Sequence, residues 1–293
     1  MSPLSPLAVL FDPGNGIEIP LPGELNRLYG RLTLPDAGAR ARVIGNFVMS
    51  LDGVVSLGVP GTTDGDEISG SDVHDSMVMG LLRSVSDAVI IGAGTLLKSP
   101  GHIWTPGFVY PPLDSEYGEL RARLGKPGWA ACAIVTSRGE IDTDLPVFSG
   151  GKAPVLIITT QEGETRIRKR RIPAGVRVVA AGKTGSLSVR GILGAVATAL
   201  PGSDAFLVEG GPRLIGQFVD RGELDELFLT LSPRLAGRDS GGERLGLISG
   251  VRFLPGRVVA GRLNGIRKNE THLFLRYSFP PAHLAGTDVA PAK

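Results

Sequence analysis

The chain has 293 residues, 42% of them hydrophobic and 20% charged, with a net charge of +2. That length allows one large domain or two ordinary ones with a substantial core, and the small charge gives no ground for a nucleic-acid partner. No apolar run approaches the roughly 18 residues that span a bilayer, and the start MSPLSPLAVLFDPG lacks the basic opening of a secretory signal, so a cytoplasmic protein is expected.

Residues 1–41 are rich in proline and glycine, with one short helix predicted around Glu24 to Tyr29. They read as an extension that packs on the body, because too few apolar residues lie together to form a core. From Arg42 the pattern strengthens. Val43 to Met49 is predicted as a strand, Ser50 to Gly53 as the turn after it, and Gly58 to Gly70 as a polar loop. Ser71 and Asp72 can cap a helix from Val73 to Ser84, with Met77, Leu81 and Leu82 inward. Asp87 to Ile91 follows as a strand closed by Gly92-Ala-Gly-Thr95. Ser99 to Gly128 reads as a long irregular segment, of the kind that covers a site or stays mobile.

Ala130 to Thr136, Pro154 to Thr160 and Val176 to Ala180 are further predicted strands. Cys132, the single cysteine, lies in the apolar run AACAIV and reads as a buried structural thiol. The basic run Arg166 to Arg171 has no aromatics interleaved and reads as the solvated face of a crossover helix. A helix from Leu187 to Leu200 leads to the strand Ala205 to Val208, the break Glu209-Gly210-Gly211-Pro212 and a helix carrying Leu214, Ile215 and Phe218. Leu224 to Leu231, Val251 to Gly261 and His272 to Phe279 complete the strands, the last two as an antiparallel edge pair. The expected fold is a single α/β domain over 42–280, with a mostly parallel central sheet, an antiparallel C-terminal strand pair and flanking helices. Residues 281–293 are expected to form a flexible tail.

Ligands of such sheets lie at the carboxyl ends of the parallel strands. The turn Glu209 to Gly211 opens a helix there, where free amides favour anions and glycines let a ligand approach the backbone. Gly92, Gly94 and Thr95 form a second such turn. Ser137 with Arg138, after another strand, can clamp a terminal phosphate or be an ordinary surface turn. Arg83, near the end of its helix, either complements the helix dipole or reaches a substrate phosphate. Asp52 most simply caps its own turn, and Asn46 is a satisfied polar group or lines the site. His74, His102, His272 and His283 share no ligand spacing, so no metal is expected.

In this order NFVMSLDG (46–53), ISGSD (68–72), LLRSVSDAVIIGAGT (81–95), TSRG (136–139), VEGGPRLIGQF (208–218) and LDELFLTLSP (224–233) resemble the pyrimidine reductase domain of riboflavin biosynthesis, a family with a dihydrofolate-reductase-like fold. The N-terminal extension is similar to that of stand-alone actinobacterial members. The resemblance implies an NADPH-dependent reductase that converts a 5-amino-6-(5-phosphoribosylamino)uracil-type intermediate to its ribitylamino form. It implies cofactor contacts from Gly92, Gly94, Thr95, Gly210, Gly211, Pro212, Arg213 and Leu214, with Ser137 and Arg138 on the 2′-phosphate. Ser69, Ser71, Arg83 and Glu209 would hold the phosphorylated pyrimidine, and Asn46, Ser50, Asp52 and Glu209 would form the catalytic side of the cleft. A homodimer is also implied. The sequence departs from the family after Thr95, where an acidic residue is usual and Lys98 stands instead. That departure leaves open a different imine, carbonyl or pterin substrate, dihydrofolate among them, and a protein that binds NADP(H) without turnover.

Overall fold

The computed structural model describes residues 4–36, 38, 40–59, 64–150, 153–238 and 244–279. Its chain runs β1 (Ala8–Phe11), β2 (Ile17–Glu18), α1 (Gly23–Tyr29), β3 (Thr33–Leu34), β4 (Arg42–Met49), α2 (Asp64–Ser69), α3 (Val73–Val85), β5 (Ala88–Gly92) and α4 (Ala93–Lys98). It continues through α5 (Pro106–Val109), α6 (Asp114–Arg123), β6 (Ala131–Val135), α7 (Pro146–Ser149), β7 (Val155–Thr159), α8 (Gln161–Ile167) and β8 (Val176–Ala180). The last elements are α9 (Val189–Ala199), β9 (Ala205–Val208), α10 (Pro212–Asp220), β10 (Glu226–Leu231), β11 (Arg262–Lys268) and β12 (Leu273–Ser278).

Ten strands form one sheet in the order β1-β11-β12-β10-β4-β9-β5-β6-β7-β8. From β10 to β8 every neighbouring pair is parallel, and β12, β11 and β1 add antiparallel strands on one side. The expected mostly parallel sheet with an antiparallel C-terminal strand pair is therefore present, the pair being β11 and β12. Strands buried on both faces read as continuous apolar runs, and here successive residues serve opposite cores. On β5, Val89 and Ile91 join the core beneath α3 and α6, while Ala88 and Ile90 join the one beneath α9 and α10. The same alternation puts Ile44 in the first core and Val43 in the second.

Residues of the N-terminal segment enter the first core: Leu7, Ile19, Leu25, Leu28 and Leu34 lie in one cluster with Ile44, Met77 and Leu81. Two buried arginines fasten this segment to the sheet. Arg267 on β11 donates from Nε to the Tyr29 carbonyl at 2.9 Å and from Nη2 to the Arg31 carbonyl at 2.6 Å, and pairs with Asp12. Arg276 on β12 donates to the Thr33 carbonyl at 2.5 Å and to Glu226 at 2.6 Å.

Four expectations are corrected. Ser99 to Gly128 is largely helical and packed: Trp104, Leu113 and Tyr117 are buried in the first core. Pro106 and Pro111 stand at the first turns of α5 and of a 3-10 turn, where a missing N–H costs nothing, so they mark starts and not breaks. Val251 to Gly261 makes no strand; Pro255 has no donor for a ladder, Leu254 and Val258 stay exposed, and the strand is β11. The crossover helix stops at Ile167, inside the basic run. Asp64 to Ser69, expected within the polar loop from Gly58 to Gly70, form α2, while the Gly92-Ala-Gly-Thr95 turn opens α4 with Gly92 at its cap. The expected tail at 281–293 lies outside the described residues, as do 60–63 of the polar loop.

Candidate active site

Three neighbouring strands, β9, β5 and β6, run parallel and end side by side. Their carboxyl ends carry Glu209 to Gly211, Gly92 to Thr95, and Thr136 to Gly139. The first two turns are joined directly, for the Gly211 amide donates to Thr95 Oγ at 3.1 Å. A Cβ on Gly210 would lie 2.5 Å from the Leu214 side chain and 3.2 Å from the Gly92 nitrogen, so only glycine lets these turns come so close. Above Gly92 and Gly94 a Cβ would meet nothing within 4 Å. Gly211 caps α10 without a side chain, and Pro212 follows at the first helical position. The third turn is held from behind: Thr160 Oγ donates to the Ser137 carbonyl at 2.9 Å, and Gly139 passes so near Gly163 that a Cβ would fall 2.3 Å from its carbonyl oxygen. Arg138 at its tip is 80% exposed, with only a 3.9 Å approach to Glu140.

On the other side of β9 lie β4 and then β10. Gly45 faces Ile215 and Leu227 in the second core, so Asn46, the next residue, faces the α3 side and is buried. Ser50 and Asp52 build the turn after β4. Ser50 Oγ donates to Asp52 at 2.6 Å and accepts from the Val54 amide at 2.9 Å. Asp52 accepts within its own turn, from its backbone amide and from Ser50, and also from the Ala236 and Gly237 amides at 3.0 and 2.7 Å, so it pins the loop after β10 as well. The Ser50 hydroxyl first, then the Ala236 amide, holds this carboxyl down at about 2.

Arg83 and Glu209 meet at the centre, with side chains 1% and 8% exposed. Arg83 Nε lies 3.2 Å from both Glu209 oxygens, and Nη2 donates to Oε2 at 2.7 Å and to His102 Nε2 at 3.0 Å. Its Nη1 donates to the Thr105 and Ile103 carbonyls at 3.1 and 3.5 Å. All five donors are thus engaged within the protein. A substrate phosphate reaches Arg83 only by displacing one of these acceptors. Burial, with the adjacent Arg83 charge, holds His102 down at about 2, so it accepts as a neutral ring.

Ser69 and Ser71 lie where α2 turns into α3. Ser71 has φ of 56°, the one positive value among described non-glycine residues, and it is exposed. Ser69 is buried, and its carbonyl accepts from His272 Nε2 at 3.0 Å. Lys98, one turn beyond Thr95 on α4, donates to Ser56 at 2.7 Å and to Asp64 at 2.8 Å. Cys132 is buried and its thiol is pushed up to about 12 by burial, as a structural thiol would be.

Asp75 was not singled out among the sequence candidates. It is buried on the first turn of α3 and hydrogen-bonded to Thr230 of β10, and burial raises its carboxyl to about 7. Its spacing of three and seven from Val78 and Leu82 was the available signal.

The family model of the RibD C-terminal domain matches residues 41–254. Among solved structures, the chain is similar to a pyrimidine reductase-like protein of Corynebacterium diphtheriae, with 22% identity over 87% of this chain and 98% of that one and a TM-score of 0.65. It is also similar to a diaminohydroxyphosphoribosylaminopyrimidine deaminase/5-amino-6-(5-phosphoribosylamino)uracil reductase from Thermotoga maritima, with 19% identity over 82% of this chain and 57% of that one and a TM-score of 0.58. A riboflavin biosynthesis reductase of Saccharomyces cerevisiae matches at 17% identity over 85% and 93%, with a TM-score of 0.54. At these identities the likeness concerns the fold, which is dihydrofolate-reductase-like. No curated protein matches the sequence. No helix of the described residues is long and apolar enough to cross a membrane.

Proposed function

Since the chain belongs to the RibD C-terminal domain family, we propose that it is an NADPH-dependent reductase of a phosphoribosylaminopyrimidine, of the 5-amino-6-(5-phosphoribosylamino)uracil type, in riboflavin biosynthesis. The observation that carries this reading is the row of three turns at the ends of β9, β5 and β6, the first two joined by a hydrogen bond, with Asn46, Ser50 and Glu209 beside it.

The row suits a dinucleotide. Gly92 and Gly94 leave open space, Gly210 admits close approach, and Thr95 offers a hydroxyl beside the start of α10. Arg138, exposed and next to Ser137, is the proposed ligand of the 2′-phosphate that separates NADPH from NADH. Arg213 and Leu214, with Pro212, form the first turn of α10 against which the pyrophosphate would rest. NADPH held there would supply the hydride for the substrate's C1′ imine. The protein's own groups do the rest. Glu209, fixed by Arg83, presents a carboxylate of set position to the substrate. Asn46, Ser50 and Asp52 shape the side of the cleft where the C1′ imine is reduced. Ser69 and Ser71 border the ring's far side.

The test is direct. Mixed with NADPH and the ribosylaminopyrimidine phosphate, the protein is expected to consume the absorbance of the reduced nicotinamide. Consumption with dihydrofolate alone would replace the substrate, and NADPH-induced thermal stabilisation without any turnover would leave a binding protein. Arg138→Ala is expected to weaken NADPH by roughly ten-fold or more and NADH little, on the scale of one charge-assisted hydrogen bond. Equal losses for the two nucleotides would remove the 2′-phosphate assignment.

A further inference from the structure

The basic run from Arg166 to Arg171 lies against the segment that follows β6. Arg166, on α8, donates from Nη1 to the Arg138 carbonyl at 2.8 Å. Arg170, four residues further on, donates from Nη1 to the Ile141 carbonyl at 2.7 Å, and the Arg171 carbonyl accepts from Thr143 Oγ1 at 3.2 Å. Thr160, the residue that caps α8, takes the Ser137 carbonyl at 2.9 Å. Three carbonyls of one short segment, those of Ser137, Arg138 and Ile141, are thus bound by donors from the α8 side. The backbone is fixed from behind, and the side chains of Arg138 and Glu140 stay exposed in front of it. Arg168 is not part of this brace; it pairs with Glu164 one turn back at 2.6 Å.

Glu140 stands between two guanidiniums. Its Oε1 accepts from Arg166 Nη1 at 3.2 Å, and its Oε2 lies 3.9 Å from Arg138 Nη1. The second nitrogen of Arg166, Nη2, donates to Glu162 at 3.2 Å, so the fork of Arg166 is held beside Arg138 by acids on both sides. The side chains of Arg138, Glu140 and Arg166 are 80%, 58% and 40% exposed, and ion pairs so open to water are weak and readily exchanged. Two arginine forks around one anion are also the arrangement that takes a phosphate, whose three acceptor oxygens and charge of about −1.5 to −2 offer more than one carboxylate does. A phosphate that reaches Arg138 therefore competes with Glu140 for Arg166 as well.

We propose that Arg166 determines specificity for the 2′-phosphate of the nucleotide, as the second guanidinium of a pair with Arg138, and that Glu140 is the carboxylate this phosphate displaces. The inference rests on the reading of the Ser137–Arg138 turn as the 2′-phosphate site, and adds to that site a second cation and a competing anion. Glu140 acts as a filter. A nucleotide without the phosphate leaves both Glu140 contacts in place and gains nothing from Arg166, whereas a nucleotide with it exchanges a single negative charge for a larger one at the same two forks.

The experiment measures dissociation constants of NADPH and NADH for the full chain and its variants, with thermal melts to show that each variant is folded. Arg166→Ala is expected to weaken NADPH roughly five-fold or more and NADH less than about two-fold. In an Arg138→Ala background, Arg166→Ala is expected to cost NADPH a further loss of several-fold; no further loss would make Arg166 a support for Arg138 only and overturns the proposal. Glu140→Gln is expected to tighten NADPH by roughly two- to five-fold and to leave NADH unchanged. Should Arg166→Ala disturb the turn, Glu140→Gln carries the test by itself, for unchanged or weaker NADPH binding there overturns the proposal. Arg168→Ala is expected to change neither nucleotide, and a loss equal to that of Arg166→Ala would reduce the effect to the general charge of the basic run and overturn the assignment. A parent protein that binds NADPH and NADH equally removes the 2′-phosphate reading of the turn and this inference with it. A parent that prefers NADPH, with variants at Arg166 and Glu140 that behave like it, overturns this inference alone.

Discussion

Glu209 and Arg83 are bound to each other by three hydrogen-bond contacts in a place water barely reaches. Removing one partner leaves the other charge buried and alone, which costs about 3–5 kcal/mol, whereas replacing both by apolar residues of similar size is often neutral. Glu209→Gln is therefore expected to lower the melting temperature by roughly ten degrees, and Arg83→Met/Glu209→Leu to recover most of the loss. Calorimetry of the three proteins checks this. Asp75 makes an opposite kind of prediction. Its folded carboxyl titrates near 7, above its ordinary range, so the folded state holds this proton more tightly than the unfolded chain. The contribution is full below about pH 4 and is lost as pH rises to about 7, on the order of a few kcal/mol. Asp75→Asn is expected to flatten the fall in melting temperature over that interval; an unchanged pH profile would contradict the assignment. Glu209 was legible in the sequence because it ends an apolar run before two glycines. Asp75 was passed over because an acid on a helix's first turn has an ordinary reason to be there, and its partner Thr230 lies far along the chain.

Between elements, α3 and α6 come together closely at a glycine. A Cβ on Gly80 would lie 2.5 Å from the Tyr117 ring and hydroxyl, and that hydroxyl donates to the Met77 carbonyl at 3.0 Å. Gly80→Ala is expected to push the helices apart at a cost of about 1–3 kcal/mol, despite alanine's better helix propensity. Denaturant unfolding reads the loss, and Gly80→Ala/Tyr117→Phe is expected to cost less than the sum of the two single changes. The parallel strands were legible because each is apolar throughout, as burial on two faces requires. β11, with the sequence RLNGIRK, was not, since its buried Arg267 is satisfied by carbonyls of the N-terminal segment, which no local pattern records. Conversely Val251 to Gly261 is apolar enough for a strand but has no neighbour to pair with in the sheet.

The molecule as a whole is closed by its N-terminal segment. β1 is the outer strand beside β11, and Leu25, Leu28 and Leu34 are fully buried. A chain beginning at residue 42 would expose that apolar surface and strip Arg267 and Arg276 of the carbonyls of Tyr29, Arg31 and Thr33. It is expected to be recovered mainly as aggregate, and a soluble, cooperatively melting product of that truncation would show that the segment is dispensable. The sheet order has a consequence for how the chain comes off the ribosome. β4 is made early, yet its two neighbours are β9 and β10, with Arg42 opposite Ala205 and Ile44 opposite Glu226. Until most of the polypeptide has emerged, β4 has no strand on either side, and Asn46 and Ser50 have no cleft to face. Nascent chains are then exposed at an apolar strand for most of their synthesis, so yield in the cell is set by how long β4 waits and by what shields it meanwhile.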